Sequence, residues 1–169
     1  MPRLLDFVPC VRAVVDLFTN NVTLIFLAES VQPVELEASG EPPLEVQEVR
    51  YASPGFMLFT HWWREEGEED QSFEQRVTIV APDGTETLLQ MPTEFTLTRP
   101  FHRVFHQQTG FIGLRMAGTY WLRLYLRRTG TTEWGRQVAE RPFIVQEIPA
   151  SPSPTQDAGG EGEEPTAVA

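Results

Sequence analysis

The stretch "GTYWLRLYLRR", Gly118 to Arg128, constrains the fold of this chain more than any other, because two chemistries alternate along it residue by residue. Tyr120, Leu122, Leu124 and Leu126 fall on one parity, and Trp121, Arg123, Tyr125 and Arg127 fall on the other. Successive side chains of an extended strand point to opposite faces, so the run predicts a strand with one core face and one aromatic, cationic face. Gly118 is placed to turn the chain into that strand, and Tyr120 is a candidate for the tyrosine corner that β-sandwiches use near such a position.

Strand signals recur along the chain. "VRAVVDLF" and "VTLIFLAES" flank a turn at Thr19, Asn20 and Asn21, which suits a hairpin because Asn tolerates positive φ. "GFMLFTHWW" is apolar on both parities, the pattern of a central strand covered on both faces. In "FEQRVTIVAPDGTETLLQM" an alternating run meets the turn Pro82-Asp83-Gly84 and reads as a hairpin. "EFTLT", "FHRVFHQ" and "RPFIVQEI" complete the set, although a short helix around Phe101 stays open. No segment carries a capped helical period, and short strands separated by turn chemistry predict an all-β, immunoglobulin-like antiparallel β-sandwich over residues 1–148.

Two segments stand apart. Gln32 to Glu48, with Pro33, Pro42 and Pro43, reads as a long connection with a short edge strand at Val34 to Glu37. The tail 149–169, containing "SPSPTQDAGGEGEEPTAVA", has acids, Pro, Gly and Ser but almost no bulky apolar residue, and is expected to be disordered.

A net charge of −11 repels a phosphate backbone, so nucleic acid is not an expected partner. All 13 basic residues are arginine, which excludes Schiff-base lysine chemistry and the lysine-dependent phosphate loop. With Cys10 as the single cysteine no intramolecular disulfide forms, and its apolar surroundings predict a buried thiol. The N-terminus does not read as a signal peptide and no apolar run approaches the roughly 20 residues a membrane helix needs, so the expected setting is soluble and cytoplasmic, with no membrane partner.

The charge is unevenly distributed. From Glu29 to Glu94 fifteen acids face Arg50, Arg64 and Arg76, whereas from Arg99 to Arg141 eight arginines face Glu133 and Glu140. Neighbouring strands that neutralise one another account for this, and head-to-tail association or a docked partner is the alternative.

Chemistry-bearing motifs are sparse. His102 and His106 share a strand parity, but two ligands on one strand make no metal site, His61 is the only other histidine, and the ordinary reading is polar residues on an edge strand. The chain lacks a Gly-x-Ser-x-Gly elbow, and the acidic run Glu65 to Asp70 lacks the ligand spacing of a calcium loop. No catalytic residue, metal or cofactor is therefore expected. The remaining candidates are aromatic: Trp62, Trp63, Trp121, Tyr125 and Trp134 exceed what the core must hide, and rings beside arginines are enriched at interaction hot spots and stack on sugars.

"VVDLFTNNVTLIFLAES", "GFMLFTHWW", "VTIVAPDGTE", "GTYWLRLYLR" and "RPFIVQEI" follow one another in an order that resembles a family of uncharacterised bacterial immunoglobulin-like proteins, with coverage from about Leu5 to Ile148. The opening turn departs from the pattern, with Asn20-Asn21 where a glycine-containing turn belongs. The resemblance implies the fold and carries no site. The expected function is a non-catalytic protein-binding or assembly module, its partner another protein or a second copy. Contacts are expected from Trp121, Arg123, Tyr125 and Arg127, with Trp62 and Trp63 as further candidates, or from an exposed edge strand. A carbohydrate- or small-ligand-binding module using the tryptophans is the alternative.

Overall fold

Every alternating segment of the sequence forms a strand in the computed structural model, which describes residues 1–16, 18–31, 34–35, 51–53, 55–89, 91–107, 112–114 and 116–147. In chain order these are β1 (Arg3–Val15), β2 (Val22–Leu27), β3 (Ser30–Val31), β4 (Val34–Glu35), β5 (Tyr51–Ser53), β6 (Met57–Trp63) and β7 (Ser72–Val80). They continue with β8 (Glu86–Leu88), β9 (Thr93–Thr96), β10 (Phe101–Gln107), β11 (Ile112–Leu114), β12 (Gly118–Arg128) and β13 (Gln137–Val145). No helix occurs among the described residues, hence none long and apolar enough to cross a membrane.

Two sheets form the layers of an antiparallel β-sandwich. One has the order β10-β6-β1-β2, and the other β3-β13-β12-β7-β8. Strand β9 pairs with the first half of β7, at Ser72 to Gln75, while β8 pairs with its second half, at Thr78 to Val80. The sole parallel pairing among the described strands joins β3 to β13. A third small sheet, β11-β5-β4, includes the edge pairing foreseen at Val34, where Val34 meets Ala52 and Glu35 meets Tyr51. The rest of the proposed 32–48 connection and the tail 149–169 lie outside the described residues.

The core is the apolar parity of each strand. Phe7, Leu58, Trp62 and Val104 from the four-stranded sheet meet Phe73, Val77, Leu122, Leu124, Leu126 and Phe143 from the other. Burying such side chains contributes roughly 1.5–3 kcal/mol each before entropy is counted. Phe95 on β9 closes one end, with its ring 5.7 Å from Trp62, 6.1 Å from Phe73 and 5.0 Å from His102. Phe56 and Phe143 meet across the sheets at 5.0 Å. Cys10 is buried, as its apolar surroundings predicted, and burial pushes its thiol pKa up.

The turns behave as their chemistry requires. Asp16 accepts hydrogen bonds from the backbone N–H groups of Phe18 and Thr19, and Asn20 takes φ 56° to close the first hairpin. At the second, Gly84 takes φ 86° and its N–H donates to the Ala81 carbonyl. Gly118 is held at φ 132°, and a Cβ there would approach Pro82 Cγ to 3.0 Å, so the entry to β12 excludes a side chain on both counts. The Phe101 segment, whose sequence also admits a short helix, is strand β10, with Val104 and His106 buried against the core. Strand β1 begins at Arg3, upstream of the apolar run that signalled it, with a bulge between Leu4 and Asp6.

Tyr120 forms the corner its position suggested. Its hydroxyl donates to the Met116 carbonyl at 2.9 Å and accepts from the Met116 N–H at 3.3 Å. The ring itself is buried in the core, so one residue ties the loop before β12 to the packed interior. Replacing Tyr120 with Phe keeps the ring and removes both bonds; urea unfolding is expected to register a loss of about 1–2 kcal/mol. A variant as stable as wild type would contradict this role.

Candidate functional site

The parity opposite the core on β12 faces outward, and acids from the adjoining strands meet its arginines. Arg123 lies 3.3 Å from Glu86 and 3.6 Å from Glu140, and Arg127 donates to Glu74 at 2.7 Å. The Tyr125 hydroxyl donates to Glu86 at 2.9 Å, and Thr78 donates to the same carboxylate at 2.6 Å. Led by the Thr78 bond and helped by Tyr125 and Arg123, these contacts hold the Glu86 carboxyl below the usual carboxylate range. Arg76 and Arg127 stack over the Trp134 ring at 4.5 and 4.3 Å, and Arg76 also covers Tyr125. The acidic and basic halves of the sequence thus neutralise one another across adjacent strands here. Of the four residues singled out on this face, Trp121 is the most open, at 39% exposure, while Arg123, Tyr125 and Arg127 are half-buried.

Trp62 and Trp63 divide between the two faces of β6. Trp62 is wholly buried, which corrects its place among candidate binding residues: its parity is that of Leu58 and Thr60, and it faces the opposite sheet. Trp63 is half-buried on the outer face, edge-on to Phe101 at 4.8 Å.

Trp62 belongs to a hydrogen-bonded chain inside the sandwich. An indole N–H can only donate, so the Gln75 atom that it meets at 2.8 Å is the amide oxygen, which also accepts from Thr60 at 2.9 Å. The Gln75 NH2 is thereby directed at His106 Nε2, which must accept, and His106 Nδ1–H donates to Thr93 Oγ1 at 3.1 Å. His106, though on an edge strand as expected, is therefore neutral, buried and fully occupied, and burial pushes its pKa down to about 4. His102, half-buried, stacks on Phe95 instead. The shared parity of the two histidines is real, but each is spent on a different neighbour.

A second aromatic and cationic surface, beyond the expected site residues, lies on the edge strand β10. Its outward parity carries Phe101 at 52% exposure, Arg103, and Phe105 at 37%. Beneath them Phe105 meets Phe59 at 5.3 Å, and Phe101 meets His61 at 5.5 Å. Arg103 Nη1 donates to the Asn20 carbonyl at 2.6 Å. Since β6 and β1 separate β10 from β2, and strands lie about 4.8 Å apart, that contact requires the β1–β2 hairpin to arch over the outer face. A groove of about 490 Å³ runs between the hairpin and β10, lined by Val15, Asn20, Arg99, Phe101, Arg103 and Phe105 among others. Among the described residues neither Arg99 nor Arg103 has a carboxylate partner, unlike Arg123 and Arg127. The signal was in the sequence, since Phe101, Arg103 and Phe105 alternate just as Trp121, Arg123 and Tyr125 do.

Scanned against models of protein families and against curated proteins, the chain matches none. Its class is that of the antiparallel β-sandwich.

The buried histidine makes stability depend on pH with a definite sign. His106 titrates at about 4 when folded and at about 6.5 when free, so the unfolded chain binds the extra proton. Its contribution is complete above pH 6.5, is lost as pH falls towards 4, and amounts to about 3 kcal/mol. Urea unfolding measured from pH 7 to pH 4 is expected to reveal this loss, and His106→Gln to flatten the curve over that interval. An equally steep curve in the variant would remove His106 as its source.

Proposed function

We propose that the protein is a non-catalytic interaction module, an immunoglobulin-like sandwich of the kind that its sequence resembles among uncharacterised bacterial proteins, working in the cytoplasm and binding another protein through the β10 edge. The sheet orders β1-β6-β10 and β13-β12-β7-β8 follow the Greek-key arrangement of immunoglobulin domains, and the Tyr120 corner stands at the start of the penultimate long strand, where such domains place it. Both support the fold part of the reading.

The observation that carries the functional part is the contrast between two faces of similar composition. Arg123 and Arg127 on β12 are engaged by Glu74, Glu86 and Glu140, so a partner would have to break existing pairs to use them. Arg99 and Arg103, which have no carboxylate partner among the described residues, stand beside two exposed rings, the combination that concentrates binding energy at interfaces. Sugar stacking on a tryptophan pair draws less support, since Trp62 is in the core and Trp63 is turned against Phe101.

Affinity purification from the native cell, read by mass spectrometry, tests this. A stoichiometric protein partner is expected, retained by Trp121→Ala and lost from the Phe101→Ser, Phe105→Ser double variant, with binding weakened at least about tenfold. Recovery of no partner by wild type, or equal recovery by the double variant, would overturn it.

A further inference from the structure

Strand β10 pairs through Phe101 to Gln107 with β6 on one side, and no described strand pairs with its other side. Half of its backbone N–H and C=O groups therefore point outward along seven residues, which is a template for one more strand. Resting on the interaction reading above, we propose that the occupant is an extended acidic segment of a partner protein, added to β10 as a strand and read by the pattern apolar–x–acidic–x–apolar.

The pattern follows from register. In an added strand, the residue directly opposite Arg103 shares its face of the sheet, with Cβ atoms about 4.5–5.5 Å apart. A carboxylate there meets a guanidinium that has donors left after its bond to Asn20. Residues two positions before and after it lie opposite Phe101 and Phe105, whose exposed rings reward apolar side chains. Because the pattern is symmetric, it is read in either chain direction. Arg99, exposed at the mouth of the same groove, extends the positive field. Although the chain carries a net −11, screening over about 8 Å at physiological salt confines the peptide's electrostatics to these local arginines.

A second copy of this chain fits less well. Two β10 strands pairing antiparallel about Val104 would set Arg103 opposite Phe105 and bring four arginines near the seam, none with a carboxylate partner among the described residues. Like charge across that seam thus favours an acidic peptide over self-pairing.

Two synthetic peptides test the assignment on the full chain: one built around Phe-Thr-Glu-Thr-Phe within flanking Thr-Val residues, and its twin with Arg in place of Glu. Fluorescence anisotropy is expected to give at least about tenfold tighter binding for the Glu peptide, and Arg103→Glu to reverse the preference. Arg99→Glu, which leaves the Asn20 contact intact, is expected to weaken the Glu peptide by about threefold and serves if Arg103→Glu unfolds. N-methylation of one alternate set of peptide amides is expected to abolish binding while the other set is tolerated, as strand pairing requires.

Equal affinity for both peptides, no binding of either, tolerance of both methylation sets, or a wild-type dimer that excludes the peptide would each overturn strand addition. If the peptides fail while the native partner is still lost on the Phe101→Ser, Phe105→Ser change, only this inference falls. If that partner is indifferent to the double variant, the underlying reading falls with it.

Discussion

The sandwich turns on the side chain of Gln75. It projects from the six-stranded side into the buried interior and is hydrogen-bonded to Thr60 and Trp62 on β6 and to His106 on β10. A buried amide without partners would cost several kcal/mol, and an amide with all of them fixes which strands face one another. The indole sets the amide's orientation, the amide sets the imidazole's tautomer, and the imidazole holds Thr93. Reversing any one of these groups sets donor against donor. Apolar packing supplies the attraction between layers, but it is indifferent to small slips that this chain of bonds does not allow.

Much of the fold was legible because the period of a strand is two and the turns carry their own residues. Tyr120 and the three leucines after it, the Asn20 turn, and Asp83-Gly84 each stated their structure locally. Illegible features were those set by partners distant in sequence. Trp62 and Trp63 are adjacent and chemically alike, and only the register of β6 assigns one to the core and the other to the outer face. Likewise, nothing in "FHRVFHQ" declares that His106 meets a glutamine 31 residues earlier in the sequence.

The candidate site was half legible for the same reason. Ring and arginine alternation is visible on both β10 and β12, but whether a charge is free depends on the strand beside it. β12 is central and flanked by β7 and β13, which bring Glu74 and Glu140, with Glu86 added from β8. Among the described strands β10 is terminal, and the neighbour it pairs with brings Thr60, His61 and Trp62. Position in the sheet, more than composition, decides which cationic face remains available.

The first hairpin has a further consequence. Asp16 caps the turn with two backbone hydrogen bonds, and the ring of Phe18 stands fully in water at the tip. A ring on a slack loop must be immobilised before it can be buried, at a cost that offsets much of the burial. Here Asp16 holds the turn from one side, and Arg103 donates to Asn20 on the other. Burying that ring against any surface would therefore require less new ordering of the chain than an unheld loop demands.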